Sequence, residues 1–230
     1  MKNIIVISRF CVAALCVSAS LTSALAEPQK SELLQRVQGG DRAAMLEAGN
    51  TGDASFVPPL ETYIQTNMSA LSNDLAKIEE IDRQLGTTSG LSMERELALR
   101  YRDGRLQGAQ MALAKLGVRK YLDEIVTELT ATNTPSGREL SRAEIREAKL
   151  RALEKLAYIA NPSTIKFIGP CLYDTADPYP QIPGARDKYV ASPLASYAIA
   201  ALRSMITNAP AAGDYTAWQQ WWEQNKDKYP

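Results

Sequence analysis

Three turns in this chain can be laid over one another, and no other feature constrains the fold as tightly. With Gly52, Gly117 and Ala160 made equivalent, Val57, Leu122 and Ile165 fall into one column and Leu60, Ile125 and Ile168 into a second. Ile64, Leu129 and Leu172 make a third. Ahead of the turns, Gly49, Ala114 and Ala157 share a column of small residues, as closely packed helices require. Apolar residues three and four apart on both sides of a short turn describe a helical hairpin. Its recurrence describes an array of hairpins.

The clearest copy lies between Arg142 and Leu172. Ser141 and Glu144 form a capping-box pair, and Ile145, Ala148, Ala152, Leu153, Leu156 and Ile159 mark one buried helical face. Asn161-Pro162-Ser163 stops that helix, because proline disfavours a helical residue before it. A second helix carrying Ile165, Ile168 and Leu172 is expected to follow.

The other copies are less regular. A short helix with Leu33, Leu34 and Val37 leads in and ends at Gly39-Gly40. Asp41 caps the first hairpin, whose second helix holds Pro58 and Pro59 in its first turn, where a missing amide hydrogen is tolerated. Residues 69 to 90 interrupt the pattern with an inserted helix lined by Leu71, Leu75, Ile78, Ile81 and Leu85. Ser92 is expected to cap the long helix that follows. Gly104 and Gly108 are its weak points, each costing ~1 kcal/mol against alanine, so a bend or break is expected there. A fourth hairpin begins at Ser192-Pro193 and ends in a helix from Tyr215 to about Asn225 that carries Trp218, Trp221 and Trp222.

The segment from Leu153 to Leu172 resembles a HEAT repeat of the bacterial HEAT-like group: a helix ending in a small residue, an Asn-Pro turn, then an aliphatic second helix. The terminal AWQQWWEQNK, Ala217 to Lys226, is similar to the Trp-rich helix that closes many exported bacterial HEAT-repeat proteins. The 43 residues between the second and third turns suit such repeats, and the 65 between the first and second fit one repeat plus the inserted helix. The resemblance implies an all-α, right-handed α-α superhelix, a HEAT/armadillo-like solenoid of about four hairpins. It implies protein–protein interaction, and it carries over no catalytic residues.

The N-terminus points to export. Lys2 and Arg9 precede an apolar run to Leu25, and Ala24-Leu25-Ala26 has the form of a signal-peptidase site. Residues 1–26 are therefore expected to be a signal peptide and 27–230 one helical repeat domain, periplasmic or secreted. Cys16 is a poor lipidation site, since bulky Leu15 precedes it. After cleavage no membrane span is expected. Loss of Lys2 and Arg9 leaves 24 basic against 26 acidic side chains, a balance that draws in no nucleic acid. Cys171 remains as the single cysteine, so the exported domain has no intramolecular disulfide.

The chain contains no histidine, which excludes Ser-His and Cys-His catalytic pairs and His-based zinc sites. Glu79-Glu80, Asp123-Glu124 and Glu94/Glu96 lie among Lys and Arg on polar helical faces, as solvated carboxylates do. No catalytic, metal or cofactor site is expected. The candidate partner-binding residues are those of the proline-rich loop from Tyr173 to Lys188 and its border: Tyr173, Asp174, Asp177, Tyr179, Asp187 and Tyr189. The aspartates lack the spacing and glycine of an EF-hand loop. Trp218 and Trp222, four apart on one face, suit closure of the last core layer, and Cys171 on its apolar stripe suits packing. The function expected is a non-catalytic scaffold binding another protein in the cell envelope. A small-ligand or envelope-polymer binding module is the alternative, and a carboxylate-dependent hydrolase ranks last.

Overall fold

The computed structural model describes residues 26–70, 92–134, 137–175 and 193–229, with residues 92–103 as backbone alone. Most of the expected signal peptide, the inserted helix beyond residue 70, and Asp177, Tyr179, Asp187 and Tyr189 lie outside the described residues, as do the side chains of Glu79, Glu80, Glu94 and Glu96. The fold is all-α. Apart from an isolated bridge between Asn133 and Glu139, the regular structure among the described residues is helical.

Helix α1 spans Glu27–Gln38 and α2 spans Arg42–Thr51. Asp41 caps α2 by accepting from the amides of Ala43 and Ala44. The Arg36 guanidinium, 2.8 Å away, helps hold that carboxyl below its usual range. A 3-10 turn, Ala54–Phe56, leads into α3, helical over 57–70, with Pro58 and Pro59 in its first turn. The helix runs through 69 and 70, the first two residues of the segment expected to carry an inserted helix.

Helix α4 covers Ser92–Lys115 and α5 covers Arg119–Thr130. Ser92 is itself helical, not the cap that its residue type suggested. Gly104 and Gly108 do not break α4 either. The α2 residue Arg42 lies across both: its Nε donates to the Gly104 carbonyl at 3.1 Å, and a Cβ on Gly108 would come within 2.8 Å of its Cγ. Glycine at 108 lets the two helices approach, and the contact offsets its low helix propensity.

Helix α6, Arg142–Ile159, begins with the full capping box of Ser141 and Glu144. The expected partner helix is broken in three. A 3-10 turn Pro162–Thr164 precedes one α-turn, α7 (Ile165–Ile168), and a 3-10 segment Gly169–Tyr173 follows. Pro170 explains the break, since it has no amide hydrogen and its ring clashes with the carbonyl four residues back. Helix α8 is Leu194–Arg203, with Pro193 as an N-cap that makes no side-chain bond, and α9 is Tyr215–Asn225.

The three superposed turn residues share one backbone state. Gly52, Gly117 and Ala160 are all left-handed, with φ of 69°, 91° and 55°. In the first and third turns the next residue, Asp53 or Asn161, caps a 3-10 turn by accepting from the amide two residues on. Two of the three columns behind the turns are wholly interior, with Leu60, Ile125, Ile168, Ile64, Leu129 and Leu172 all buried; in the first, Leu122 and Ile165 are buried and Val57 is partly so. Each such side chain contributes roughly 1.5–3 kcal/mol on burial.

First helices of successive hairpins are neighbours in chain order: α2 packs on α4, α4 on α6, and α6 on α8. Gly49 is a point of close approach, where a Cβ would sit 2.9 Å from Ala112 Cα of α4. On the other side α5 touches α7, and the Gly169–Tyr173 segment packs on α8 and α9. One connected apolar cluster runs from Leu33 to Trp222. Trp218 and Trp222 are buried at its end, and the Trp218 indole N–H donates to the Ala211 carbonyl at 3.0 Å.

Candidate interaction groove

The Gly117 turn and the Ala160 turn place α5 beside the Asn161–Phe167 segment, leaving a groove of about 510 Å³ between them. Its α5 wall follows from helical periodicity. Tyr121, Leu122, Ile125 and Leu129 turn toward the core, while Arg119, Asp123 and Thr127, four apart, form a polar row beside Leu122 and Val126. The facing wall carries Asn161, Ser163, Lys166 and Phe167.

The polar groups of the groove differ in how far they are committed. Thr164, the one buried polar residue of the described core, donates to the Asn161 carbonyl at 2.7 Å, with Met205 Sδ 3.8 Å away. Asn161 Oδ1 accepts from the Ser163 amide at 3.0 Å, which leaves the side-chain NH2 as the outward donor. Arg119 meets Asp123 at 3.4 Å, yet the two side chains are 88% and 62% exposed, so water screens the pair and it is easily exchanged. Lys166 Nζ lies 5.3 Å from the centre of the Phe167 ring. Val118, the N-cap of α5, makes no side-chain bond, and the amide end of the helix adds positive potential on this side. The groove thus combines a polar row on α5, an apolar strip of Leu122, Val126 and Phe167, and the side chains of Arg119 and Lys166.

A second depression, about 480 Å³, lies between the end of α1 and α3 and is lined by uncharged residues including Pro58, Pro59, Tyr63 and Asn67.

The residues singled out in the loop fall elsewhere. Tyr173 is not a loop residue: it ends the Gly169–Tyr173 segment, half exposed, and its hydroxyl donates to Glu223 of α9. Glu223 also accepts from Lys226 Nζ at 2.6 Å, and Lys226, then Tyr173, hold its carboxyl below the usual range. The same bond to Glu223 raises the Tyr173 phenol. Asp174 is exposed, and its carbonyl accepts the Ala195 amide at 3.0 Å, tying the end of this segment to the start of α8. Tyr173 and Asp174 are thus tied to α9 and α8, and neither lines the groove. Asp177, Tyr179, Asp187 and Tyr189 lie outside the described residues.

Cys171 is buried and burial pushes its thiol up, which disfavours the reactive thiolate. Asp123 and Glu124 do not act as a pair: Asp123 joins the groove, whereas Glu124 lies near Tyr121, whose phenol is raised by burial and then by Glu61 and Glu124. Among the described residues no group of three or more His, Cys, Asp or Glu could hold a metal ion, and no helix is long and apolar enough to cross a membrane. The groove residues carry no motif. The signal present in the sequence is the four-residue spacing of Arg119, Asp123 and Thr127 next to a turn.

Fold and groove together define a class: an all-α protein of helical hairpins with a cleft between α5 and the Asn161–Phe167 segment. No protein-family model, curated protein or solved structure matches the chain at a significant level.

Proposed function

We propose that this protein is an exported, non-catalytic helical-repeat scaffold that holds another protein in the cell envelope. The observation that carries the proposal is the packing order α2–α4–α6–α8, each first helix against the next, with left-handed turns at equivalent positions. Nearest-neighbour stacking of hairpins is how a right-handed HEAT-like solenoid is built, and such arrays bind through the extended surface of their second helices. The start of α1 at Glu27, the first residue expected after cleavage, supports export. The proline-rich loop residues Asp177, Tyr179, Asp187 and Tyr189, with Tyr173 and Asp174 at its root, remain a proposed secondary contact.

Affinity capture from the envelope fraction tests the proposal. One protein enriched by the wild-type chain over a scrambled-surface control is the expected result; retention of glycan or lipid with no protein would refute it. Mass measurement of the exported protein should give a chain beginning at Glu27. A small-ligand or envelope-polymer module is the second reading, favoured by the size of the groove, since about 510 Å³ lies within the range of ligand pockets.

A further inference from the structure

We propose that the depression between the end of α1 and α3 binds a neutral saccharide, a disaccharide unit of an uncharged envelope glycan. The hydroxyls of Thr62 and Thr66, the Gln38 amide and the Asn67 side-chain oxygen hold it. The site shares no lining residue with the α5 groove and does not depend on the scaffold function. It gives the chain a second contact, with polymer rather than protein.

Helix faces turned to water normally carry charged side chains, and on α5 the exposed residues include Arg119, Lys120, Asp123 and Glu124. On α3 the exposed residues are Pro58, Thr62, Gln65, Thr66, Met68 and Ser69. The one charged residue of that helix, Glu61, is partly buried and lies near Tyr121, whose phenol is raised first by burial and then by Glu61. The described lining of the depression is wholly uncharged: Gln38 of α1, the row Pro58, Thr62 and Thr66, and the row Pro59, Tyr63 and Asn67. An ionic ligand would leave its charge unpaired against these side chains.

The same surface carries unspent hydrogen-bonding groups. A threonine inside a helix can return its hydroxyl proton to the carbonyl four residues back, as Thr127 and Thr130 do at 2.8 and 3.1 Å. Thr62 and Thr66 make no such bond, and among the described residues their hydroxyls and the Gln38 amide have no partner. Asn67 Nδ2 donates to the Tyr63 carbonyl at 2.8 Å, so its oxygen is the group left over. Pro58, Pro59 and the Tyr63 ring supply apolar surface beside these polar groups.

Shape agrees with chemistry. About 480 Å³ lies within the range of small-ligand pockets. From Pro58 to Thr66 the α3 wall rises eight residues at ~1.5 Å each, about 12 Å, room for a disaccharide. A sugar ring is uncharged, each of its hydroxyls both donates and accepts, and its C–H face lies against apolar surface. A peptide strand carries its amides and carbonyls along a line with a rise of ~3.3 Å per residue, whereas the free groups here are spread over two helix rows and the end of α1.

The test adds three neutral disaccharides, cellobiose, maltose and N,N′-diacetylchitobiose, to the purified isotope-labelled protein. Glucuronate and an uncharged peptide, acetyl-Ser-Gln-Thr-Pro-Ser-amide, are the comparators. Saturable amide shifts with at least one disaccharide, centred on residues 36–40 and 58–67, are the expected result. The Thr62→Val/Thr66→Val protein keeps the shape and loses the hydroxyls, and should bind that disaccharide about tenfold more weakly. Both threonines are exposed, and an unchanged melting curve confirms that the fold is kept. Gln38→Ala, at the exposed end of α1, gives a second readout outside α3 and should also weaken binding. No saturable shift with any of the three sugars, shifts elsewhere, or unchanged affinity in these variants overturns the assignment. So does tighter binding of the peptide or of glucuronate. Each proposal fails by its own measurement: absence of sugar binding leaves the scaffold standing, and a wild type that captures no envelope protein leaves this site standing.

Discussion

Replacing Gly169 by alanine should destabilise the protein, and the sign of the effect is the informative part. Gly169 has a right-handed backbone, φ −50°, that any residue adopts, so conformational entropy alone would make alanine stabilising by about 0.4–1 kcal/mol. Packing opposes it. A Cβ at 169 would lie 2.5 Å from Trp222 Cδ2 and Cζ2, well inside van der Waals contact. The clash cannot be relieved at the end of a flexible chain, because the indole is a rigid, buried ring on α9. Helix α9 must shift or the ring must leave its rotamer, and overpacking of this kind costs about 1–3 kcal/mol. The net expectation is a loss of about 1–2 kcal/mol, or roughly 2–8 °C in Tm for a domain of this size. Urea unfolding followed by tryptophan fluorescence and far-UV circular dichroism would measure it. The control is the same change in a Trp222→Leu background, where the ring is gone and the penalty should vanish or reverse. A neutral or stabilising Gly169→Ala in the wild type, or an equal loss in both backgrounds, would refute the packing argument.

The turn column offers a matched pair. Ala160→Gly should stabilise by about 1 kcal/mol by relieving a Cβ held at φ 55°, and Gly117→Ala, at φ 91° with open space around it, should lose a similar amount; urea midpoints check both. Tyr158 is pushed up to about 12 by burial, and its hydroxyl donates to the Leu46 carbonyl of α2 at 2.5 Å. The folded state therefore keeps this proton while the unfolded phenol loses it near 10, so stability should fall as pH rises from 10 toward 12. A Tyr158→Phe protein, lacking that titration, should show a flatter alkaline limb in pH-dependent melting. Glu144 is held down to about 2, first by Arg138 and then by Ser141. Its contribution is present above the ordinary 4.5 and lost as pH falls toward 2, and Glu144→Gln, which keeps the capping geometry, should flatten the acid limb of the urea midpoint. Ser141→Ala should lower stability by about 1 kcal/mol at neutral pH and by less once Glu144 is protonated, because the Ser141 hydroxyl also donates to that carboxylate; the same titration reads both.

The hairpin pattern was legible because helix periodicity and turn chemistry are local. Gly52 and Gly117 announce left-handed turns by residue type, and Ala160 could be placed with them only because the aliphatic columns after it agree. Likewise Ser141 and Glu144, three apart, contain their own cap. Misjudged features depend on a distant partner. Gly104 and Gly108 read as weak points because Arg42, more than sixty residues earlier, is what lies across them. Pro170 breaks the helix but not the stripe of Ile165, Ile168 and Leu172, which survives because 3-10 and α turns both return a side chain to the same face after three or four residues. The groove was hidden for the same reason. Its walls are forty residues apart in sequence, and each reads alone as an ordinary solvated surface.

Tyr158 ties these observations together. It stands on α6, yet its hydroxyl reaches α2, passing the point where Gly49 lets α2 close on Ala112 of α4. Lys115 of α4 donates to the Tyr158 carbonyl at 2.7 Å and lies 4.4 Å from the centre of its ring. Burial lowers the pKa of that lysine, and its charge is set against the carbonyl end of α6, where a cation is favoured. Three successive first helices are thereby pinned to one another at their turn ends. Those ends also set the spacing of the Gly117 and Ala160 turns, and hence the distance between α5 and the Asn161–Phe167 segment. Tyr158→Phe should therefore loosen the groove as well as the core, whereas Gly169→Ala acts against Trp222 of α9. Amide shifts of residues 119–127 and 161–167 in the Tyr158→Phe protein check this: an unchanged set would refute the coupling.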